Sequence, residues 1–207
     1  METRAHWESV YGTKSWTEVS WYQPHAELSI RLIRETCIDL DSPIIDVGGG
    51  ASTLVDDLLT AGYGNLTVLD ISVSALKTAQ ERLGHVASRV NWLAGDILKA
   101  NLPKHGFEVW HDRAVFHFLT NEEDRRKYVN AVMHAVKPGG FVIVATFSEN
   151  GPDRCSGLPV KRYRADELHS EFGQPFTLID HVSETHVTPA GKEQGFVYCF
   201  CRADGIE

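Results

Sequence analysis

The sequence predicts an α/β fold, a doubly wound and mostly parallel sheet of seven strands with a C-terminal antiparallel hairpin. Three observations favour it. From residue 44 onward, short apolar segments alternate with segments of helical periodicity. The segment FVIVATF is apolar enough to be covered on both faces, as a central parallel strand is. Near the C-terminus, two β-rich segments flank VTPAGKE, a turn too short for a helical crossover, so these strands should pair antiparallel.

The N-terminal part of the sequence predicts an aromatic segment followed by a helix. The segment HWESVYGTKSWTEVSWYQP is rich in tryptophan and tyrosine and ends at Pro24, a residue that suits the first turn of a helix. The buried stripe of this helix should consist of Ala26, Ile30, Ile33 and Cys37, which follow the i, i+4, i+7, i+11 spacing. Pro43 ends the region before the first strand.

The remaining elements follow in alternation. Strands are predicted at residues 44–47, 66–69, 90–93, 107–110, 141–147, 176–185 and 194–201, and helices at 53–61, 74–83 and about 122–136. Gly84 stops the second of these helices. The acidic segment TNEED opens the third, with Thr120 or Asn121 as its cap.

Composition and charge narrow the function classes. With 207 residues, 43% hydrophobic and 23% charged, the chain has the composition of one globular domain. The net charge is −8 and basic residues are interleaved with acidic ones, so no positive surface is expected that would attract nucleic acid or an anionic bilayer. No segment suits a membrane span or a signal peptide, and the four cysteines form no C-x-x-C pair. We expect a soluble cytoplasmic protein with reduced, buried thiols, no nucleic-acid partner and no membrane partner.

In the stretch IIDVGGGAS, residues 44–52, three consecutive glycines stand between a predicted strand and a predicted helix. A turn of glycines lets a ligand approach the backbone, although a turn that only packs the helix on the sheet would use the same residues. Asp46 precedes the glycines, Asp70 ends the next strand 24 residues later, and Gly95-Asp96-Ile97 follows the third strand. One such acid alone is typical of a helix cap or a solvated loop. Three acids at consecutive strand ends indicate one binding crevice.

Together these residues resemble class I S-adenosylmethionine-dependent methyltransferases. The matching motifs are IIDVGGGAS, VLDIS, AGDI, FEVWHDRAVFHFL and VKPGG, within residues 44–147. The resemblance implies a Rossmann-like fold with a reversed last strand, S-adenosylmethionine as cofactor, and methyl transfer to a nucleophile by in-line displacement. It implies that Gly48 and Gly50 line the methionine part, that Asp70 holds the ribose, and that Asp96 with Ile97 frames the adenine. The implied cofactor-site residues are Asp46, Gly48, Gly49, Gly50, Asp70, Ile71, Asp96, Ile97, Asp112 and Arg113.

The glycine motif departs from the methyltransferase pattern at one position. It also distinguishes the methyltransferase interpretation from the main alternative. Ser52 stands where the third glycine is usual, and a serine there suits the cap of the following helix. That alternative is a nicotinamide-binding Rossmann protein, whose fingerprint needs glycine at the position of Thr53. Asp46 would also repel the diphosphate that such a turn receives, whereas S-adenosylmethionine presents an ammonium and a sulfonium group. The sequence therefore favours the methyltransferase interpretation.

On the acceptor side, the segment WHDRAVFHFLT contains the candidate catalytic residue, His117, as a base or orienting group. A core histidine between its two phenylalanine neighbours is an equally good interpretation. Asp112 and Arg113 have a second interpretation too, a local ion pair that shapes the loop. The spacing of His111 and His117 fits no standard metal motif, so no metal is predicted.

Two segments are predicted to close the site. The aromatic N-terminus, with Trp21 and Tyr22 as candidate substrate contacts, resembles a lid of small methyltransferases; a helix packed on the sheet edge is the alternative. The segment DRCSGLPVKRYRADEL offers Cys155 as a further substrate contact. It also carries Lys161, Arg162 and Arg164, which either hold an anion or are solvated surface charges. We predict one domain, 1–207, made of a lid or helical segment (1–38), the cofactor-binding core (43–147) and the acceptor-side loop with the hairpin (148–207).

The acceptor class has several interpretations. The small size resembles bacterial small-molecule and thiol methyltransferases, including tellurite- and thiopurine-type proteins. SWYQP and DRAVFHFL resemble protein lysine methyltransferases, although Arg113 and Ala114 depart from their D-K-G-T segment. No N-P-P-Y or D-P-P-Y follows strand four, which disfavours methylation of a base or glutamine amino group. We predict a small-molecule or side-chain acceptor, with a protein lysine methyltransferase as one alternative and a non-catalytic, methyltransferase-like binding scaffold as another.

Overall fold

The computed structural model describes residues 4–205. Its strands are β1 (Ile44–Val47), β2 (Leu66–Asp70), β3 (Val90–Ala94), β4 (Phe107–Arg113), β5 (Val136–Phe147), β6 (Arg154–Cys155), β7 (Leu158–Pro159), β8 (Thr177–Val187) and β9 (Glu193–Arg202). Its α-helices are α1 (Arg4–Thr13), α2 (Glu27–Glu35), α3 (Leu54–Thr60), α4 (Val73–Leu83), α5 (Glu122–Ala135) and α6 (Ala165–Phe172). Within residues 4–205, no helix combines the length and the apolar character that crossing a bilayer requires.

Seven strands form one sheet in the order β3-β2-β1-β4-β5-β9-β8, and β6 pairs with β7 in a separate antiparallel hairpin. Strands β1 to β5 run parallel to one another, β9 pairs antiparallel with β5, and β8 pairs antiparallel with β9. The predicted mostly parallel sheet with a C-terminal antiparallel hairpin is therefore confirmed. Because β1 lies between β2 and β4, the strand order reverses there, and a crevice opens at the carboxyl ends of these strands.

The core has two layers, one on each face of the sheet, because successive strand residues point to opposite sides. Ile45 and Trp110 belong to the layer under α5 and α6. Their neighbours Ile44 and Val109 belong to the layer under α2, α3 and α4. The segment FVIVATF contributes to both layers, as its uninterrupted apolar sequence predicts.

The helix after Pro24 is shorter than predicted. It ends at Glu35, and Cys37 lies outside it, with an exposed side chain and a left-handed φ of 54°. The prediction that Cys37 completes the buried stripe is wrong, because the helix ends two residues before Cys37. The other three cysteines, Cys155, Cys199 and Cys201, are buried and free, as expected.

Two further parts of the structure, the VKPGG segment and α6, differ from the prediction. The VKPGG segment lies within β5, where Gly139 has a φ of 77° and the register against β4 shifts, so it forms a bulge rather than a separate turn. The helix α6 lies in the part that was predicted to be a loop. Its apolar residues, Leu168 and Phe172, follow the i, i+4 spacing and are buried, and Gly173 ends it.

A buried polar network fixes the end of β4 against α5. The Trp110 indole donates to the Tyr128 hydroxyl over 2.9 Å, and this hydroxyl donates to the Asp112 carboxylate over 2.5 Å. The same carboxylate accepts from the backbone N–H groups of Val115 and Phe116 over 2.8 and 3.0 Å. Burial raises the pKa of Asp112 to about 7, and the hydrogen bond from Tyr128 acts against this rise. The network therefore holds the loop after β4 in one conformation.

We predict that Tyr128→Phe lowers the free energy of unfolding by about 1–3 kcal/mol, because it leaves the Trp110 indole without its acceptor and removes one of the three donors to the Asp112 carboxylate. Urea unfolding measures the change. Tyr63→Phe is the matched control, since Tyr63 is also buried and its hydroxyl makes no hydrogen bond within residues 4–205. Equal midpoints for the two variants would show that the network contributes nothing beyond packing.

Candidate active site

The glycine turn between β1 and α3 is packed too closely for side chains. Gly48 and Gly50 have φ of 70° and 39°, values that favour glycine. A Cβ on Gly48 would lie 1.9 Å from a methyl group of Val115, and a Cβ on Gly49 would lie 2.4 Å from a carboxylate oxygen of Asp46. The turn consists of glycines because neighbouring side chains already fill the space that a Cβ atom would need.

Asp46 lies beneath this turn in a buried hydrogen-bonded array. The Nδ1 atom of His111 is 2.7 Å from Oδ1 of Asp46, and the Nε2 atom of His111 is 2.9 Å from the hydroxyl of Ser29. The ring of His111 thus bridges Asp46 and Ser29. The three residues come from α2, β1 and β4, so the array ties these elements together under the turn.

Asp70 lies at the tip of β2 and lines the crevice. Its Oδ1 atom accepts from the backbone N–H of Ser72 over 2.7 Å, and its Oδ2 atom would be 2.6 Å from a Cβ on Gly50. Burial raises the pKa of Asp70 to about 7, and the negative charges of Asp46 and Glu8 add to this effect. A ligand that donates hydrogen bonds to Asp70 therefore favours its ionised form.

The crevice is a cleft of about 720 Å³, including the solvent space at its mouth, between the strand tips and the N-terminal segment. From the predicted cofactor set it contains Gly48, Asp70, Ile71, Ile97 and Arg113, and from the predicted substrate set Trp21 and Cys155. An adjoining cavity of about 560 Å³ shares Gly48, Trp21 and Arg113 and adds Asp46, Gly49 and Tyr22. Asp96 lines a neighbouring depression beside Ile71 and Gly95. Eleven of the predicted residues thus surround the strand tips.

An aromatic wall faces the strand tips across the cleft, and we define it as Trp7, Tyr11, Trp21 and Phe118. The ring of Trp7 lies 5.9 Å from that of Trp21 and 5.2 Å from that of Phe118, and the ring of Tyr11 lies 6.2 Å from that of Trp21, all as edge contacts. Tyr11 also approaches the glycine turn, since its hydroxyl would be 3.2 Å from a Cβ on Gly50. The wall is therefore built largely from residues that precede the sheet.

The helix α1 is attached to the start of α4 by Glu8. The Glu8 carboxylate accepts from the N–H groups of Val73 and Ser74 over 2.6 and 3.2 Å. Hydrogen bonds from Ser74, foremost from its side chain, and from Val73 lower the pKa of Glu8. A carboxylate at a helix N-terminus is stabilised by the unpaired N–H groups there. No residue of α1 is fully buried, so this contact is a principal anchor of the helix.

Arg113 connects the wall to the terminal hairpin rather than to Asp112. Its guanidinium donates to the carboxylate of Glu184 over 3.0 Å and to the hydroxyl of Tyr198 over 2.9 Å, and it lies 4.1 Å from the centre of the Phe196 ring. It also reaches the backbone carbonyl of Trp21 over 3.4 Å. The local ion pair between Asp112 and Arg113 is therefore wrong, because successive residues of β4 point to opposite faces. The side chain of Asp112 is directed into the core network and does not line the cleft.

His117 lies in the core beside the cleft wall. Its ring packs at 4.5 Å from Phe118 and 4.7 Å from Phe147, and it is fully buried. Burial lowers the pKa of His117 to about 3, with a smaller effect from the charge of Arg113. The residue does not line the cleft, so its position agrees with the core interpretation and not with a base that touches a substrate.

Arg82, which no sequence motif singles out, holds the exit of the glycine turn. Its guanidinium donates to the backbone carbonyls of Ala51 and Ser52 over 2.8 and 2.7 Å and pairs with Asp56. The Ser52 hydroxyl accepts from the N–H of Leu54 at the start of α3, which agrees with the expected capping role. Arg82 lies on α4 in an ordinary charged sequence, so no local signal marks it.

The comparisons with known proteins agree with this architecture. Residues 44–140 match a family model described as a methyltransferase domain. The human EEF1A lysine methyltransferase 2 is 24% identical over 208 aligned residues, which cover 92% of this chain and 80% of the relative. An uncharacterized methyltransferase of Mycobacterium tuberculosis is 34% identical over 108 residues, half of each chain.

A solved structure from echinomycin biosynthesis, concerned with the conversion of a disulfide bond into a thioacetal group, has a TM-score of 0.78 at 19% identity. It covers 99% of this chain and 94% of its own, and at this identity the likeness shows the fold. Fold, strand-tip acids and family match agree. Residues 44–140 form a methyltransferase domain of the class I type, and the chain is an S-adenosylmethionine-dependent methyltransferase.

Proposed function

We propose that the cleft holds S-adenosylmethionine against the strand tips and the methyl acceptor against the aromatic wall. The observation that carries this proposal is the shared cleft, in which Gly48, Asp70 and Ile97 face Trp7 and Trp21. A cleft lined mostly by apolar side chains with a few polar groups is typical of a small-molecule site. When bound, the cofactor supplies a methyl group activated by a positively charged sulfur.

In this proposal, each of three strand tips holds a different part of the cofactor. The glycine turn is a cradle that any Cβ would fill, and it suits the methionine part with Asp46 as the partner of its ammonium group. Asp70, with Ile71 beside it, suits the ribose hydroxyls, and Asp96 with Ile97 suits the adenine. We leave Asp112 out of this set because hydrogen bonds within the core already engage both of its oxygens.

The chemistry of the cleft points to an acceptor that needs no base from the protein. Among the described residues that line the cleft there is no histidine, and its only acid is Asp70. Burial raises the pKa of the Cys155 thiol to about 12, so this group stays protonated near neutral pH. Aligning the acceptor with the methyl group supplies much of the acceleration, on the order of 7 kcal/mol or more, without a proton acceptor.

A lysine side chain is the acceptor that we propose first. Its slender aliphatic stem packs against aromatic rings, and a poorly solvated cleft favours the neutral, nucleophilic amine over the ammonium form. The alignment with EEF1A lysine methyltransferase 2 over 92% of the chain supports this class. The second candidate is a small apolar molecule, favoured by the closure of the cleft by α1 and by the small share of polar groups in its lining.

The helix α1, residues 4–13, acts in this proposal as a lid. It carries Trp7 and Tyr11 over the cleft and has no fully buried residue, so its opening exposes little apolar surface. The division into lid, core and acceptor-side segment, the cytoplasmic location and the lack of a nucleic-acid partner stay predictions. The net charge of −8 supports the last of these.

We predict that Asp70→Asn weakens S-adenosylmethionine binding at least about tenfold at pH 8, since hydrogen bonds to a charged acceptor contribute about 1.5–3 kcal/mol. Calorimetric titration measures the affinity. Below about pH 7, wild-type affinity should fall by up to about tenfold per pH unit, because the ligand must displace the proton that the buried Asp70 holds. Asp70→Asn should flatten this profile, and Glu81→Gln, an exposed control on α4, should keep it. A wild-type profile without any slope would remove Asp70 from the ribose site.

We predict that labelled S-adenosylmethionine transfers its methyl group mainly to macromolecules of a cell extract, and that hydrolysis of the labelled protein yields methylated lysine. The extract is separated by gel filtration into macromolecular and small-molecule fractions before the assay, with Asp70→Asn as the background. Label confined to the small-molecule fraction would favour the second candidate. Label at background level in both fractions would contradict the proposed acceptor classes.

We predict that Glu8→Ala loosens the lid without unfolding the core. Loss of a capping carboxylate is worth about 0.5–2 kcal/mol, so amide exchange over residues 4–13 should become about 2- to 30-fold faster. Hydrogen–deuterium exchange with mass spectrometry resolves this segment from the sheet. Glu35→Ala, which removes an exposed glutamate at the end of α2, should leave the segment unchanged. Equal exchange in both variants would mean that Glu8 does not hold α1.

A further inference from the structure

A cluster of soft metal ligands lies between β9 and α6, outside the cleft. Cys199 and Cys201 occupy alternate positions of β9, so both side chains point to the same face, and both are buried. Their sulfur atoms are 3.1 Å apart. The Nδ1 atom of His169, on α6, lies 3.3 Å from the sulfur of Cys201 and 3.8 Å from that of Cys199. Three ligand atoms thus converge within 4.8 Å of one another.

A second histidine stands beside this cluster. His181 of β8 is paired with Cys199 across the antiparallel ladder, which puts both side chains on the same face at about 5 Å between Cβ atoms. Its Nε2 atom is buried and has no hydrogen-bond partner within residues 4–205. Its ring centre lies 6.4 Å from that of His169. A buried nitrogen without a partner is costly unless something else satisfies it.

We propose that Cys199, Cys201, His169 and His181 bind one Zn²⁺ ion. Two thiolates and two imidazoles are a common tetrahedral zinc set, with Zn–S about 2.3 Å and Zn–N about 2.0–2.1 Å. Such a site is electrically neutral overall, which suits a buried place. Zinc binding releases one proton from each thiol to solvent and leaves both histidines neutral. In tetrahedral geometry the sulfurs lie about 3.8 Å apart, so they must separate by less than an ångström from their present distance.

A disulfide between Cys199 and Cys201 fits the strand geometry less well than a zinc site does. Residues at i and i+2 of a strand have Cα atoms about 6.6–6.8 Å apart, at the upper limit that a disulfide tolerates. The strand would have to bend, whereas Cys199 and Cys201 both lie in regular pairing with β5 and β8. A metal ion needs only side-chain adjustment and explains the two histidines as well.

The proposed ion is structural rather than catalytic. None of its four ligands lines the cleft, but the ion joins α6 to both strands of the terminal hairpin. The segment that runs from Cys155 to α6 borders the cleft at Cys155. Zinc would therefore fix the far end of that segment against the sheet, and the sequence prediction that the protein holds no metal would be wrong.

The test uses the full chain, purified with a reductant and without a chelator. Elemental mass spectrometry should find about one zinc per chain in the wild type and in Cys37→Ser, the control that removes the exposed thiol. Cys199→Ser, Cys201→Ser and His169→Asn should fall well below this value. Zinc added to the stripped protein should raise the melting temperature of the wild type and not that of Cys201→Ser.

Cobalt substitution tests the ligand set on the folded wild-type protein and does not depend on the stability of a variant. Co²⁺ added to the stripped wild type should give the absorption of a tetrahedral site with thiolate-to-cobalt charge transfer. His181→Ala should change that spectrum and weaken cobalt binding about tenfold or more. No thiolate band in the wild type, or a zinc content equal in Cys199→Ser and the wild type, would overturn the site. An unchanged spectrum in His181→Ala would remove His181 from it.

Discussion

The structure depends on one steric constraint, the close packing of three glycines against side chains from three other places in the chain. Val115 after β4, Asp46 in β1 and Asp70 at the end of β2 each lie where a Cβ of the turn would be. A side chain on the turn would push apart the strand tips that form the crevice. The constraint therefore sets both the floor of the cleft and the distance between the carboxylates of Asp46 and Asp70.

That packing has an electrostatic consequence. It brings Asp46 close to Asp70, and Glu8 approaches from α1. Burial, together with the negative charges of Asp46 and Glu8, raises the pKa of Asp70. Like charges around an apolar cleft destabilise the empty protein and favour a ligand that carries positive charge. His111 holds Asp46 from the core side, and Ser29 holds His111 in turn. The site thus combines one acid fixed by a hydrogen bond to the core with one that faces the cleft.

The sequence predicts the sheet, its order of elements and the position of the strand-tip acids, because strand burial and glycine turns are recorded in short, local patterns. It does not predict where a side chain next to a strand end points. His117 and Asp112 looked like site residues, yet one packs between rings and the other bonds to the loop and α5. The contacts of Arg113 and Arg82 join segments far apart in sequence, and no local spacing reveals them. The same holds for His169 and the two cysteines of β9, which approach only after α6 has docked.

The two ends of the N-terminal segment are held in different ways, and this difference matters for function. Near Trp21 the backbone is tied to Arg113 and through it to Glu184 and Tyr198 of the hairpin. The Nε2 atom of His186 also donates to the backbone carbonyl of Ser20. The helix α1, by contrast, has no fully buried residue and is attached through Glu8 and the edges of the aromatic wall. Local opening costs least where little apolar area is buried, so we expect α1 to release first. In the proposed lid role, α1 opens on a fixed segment and admits ligands without disturbing the hairpin. Because Tyr11 reaches the glycine turn, we expect the closure of this lid to depend on what the turn holds.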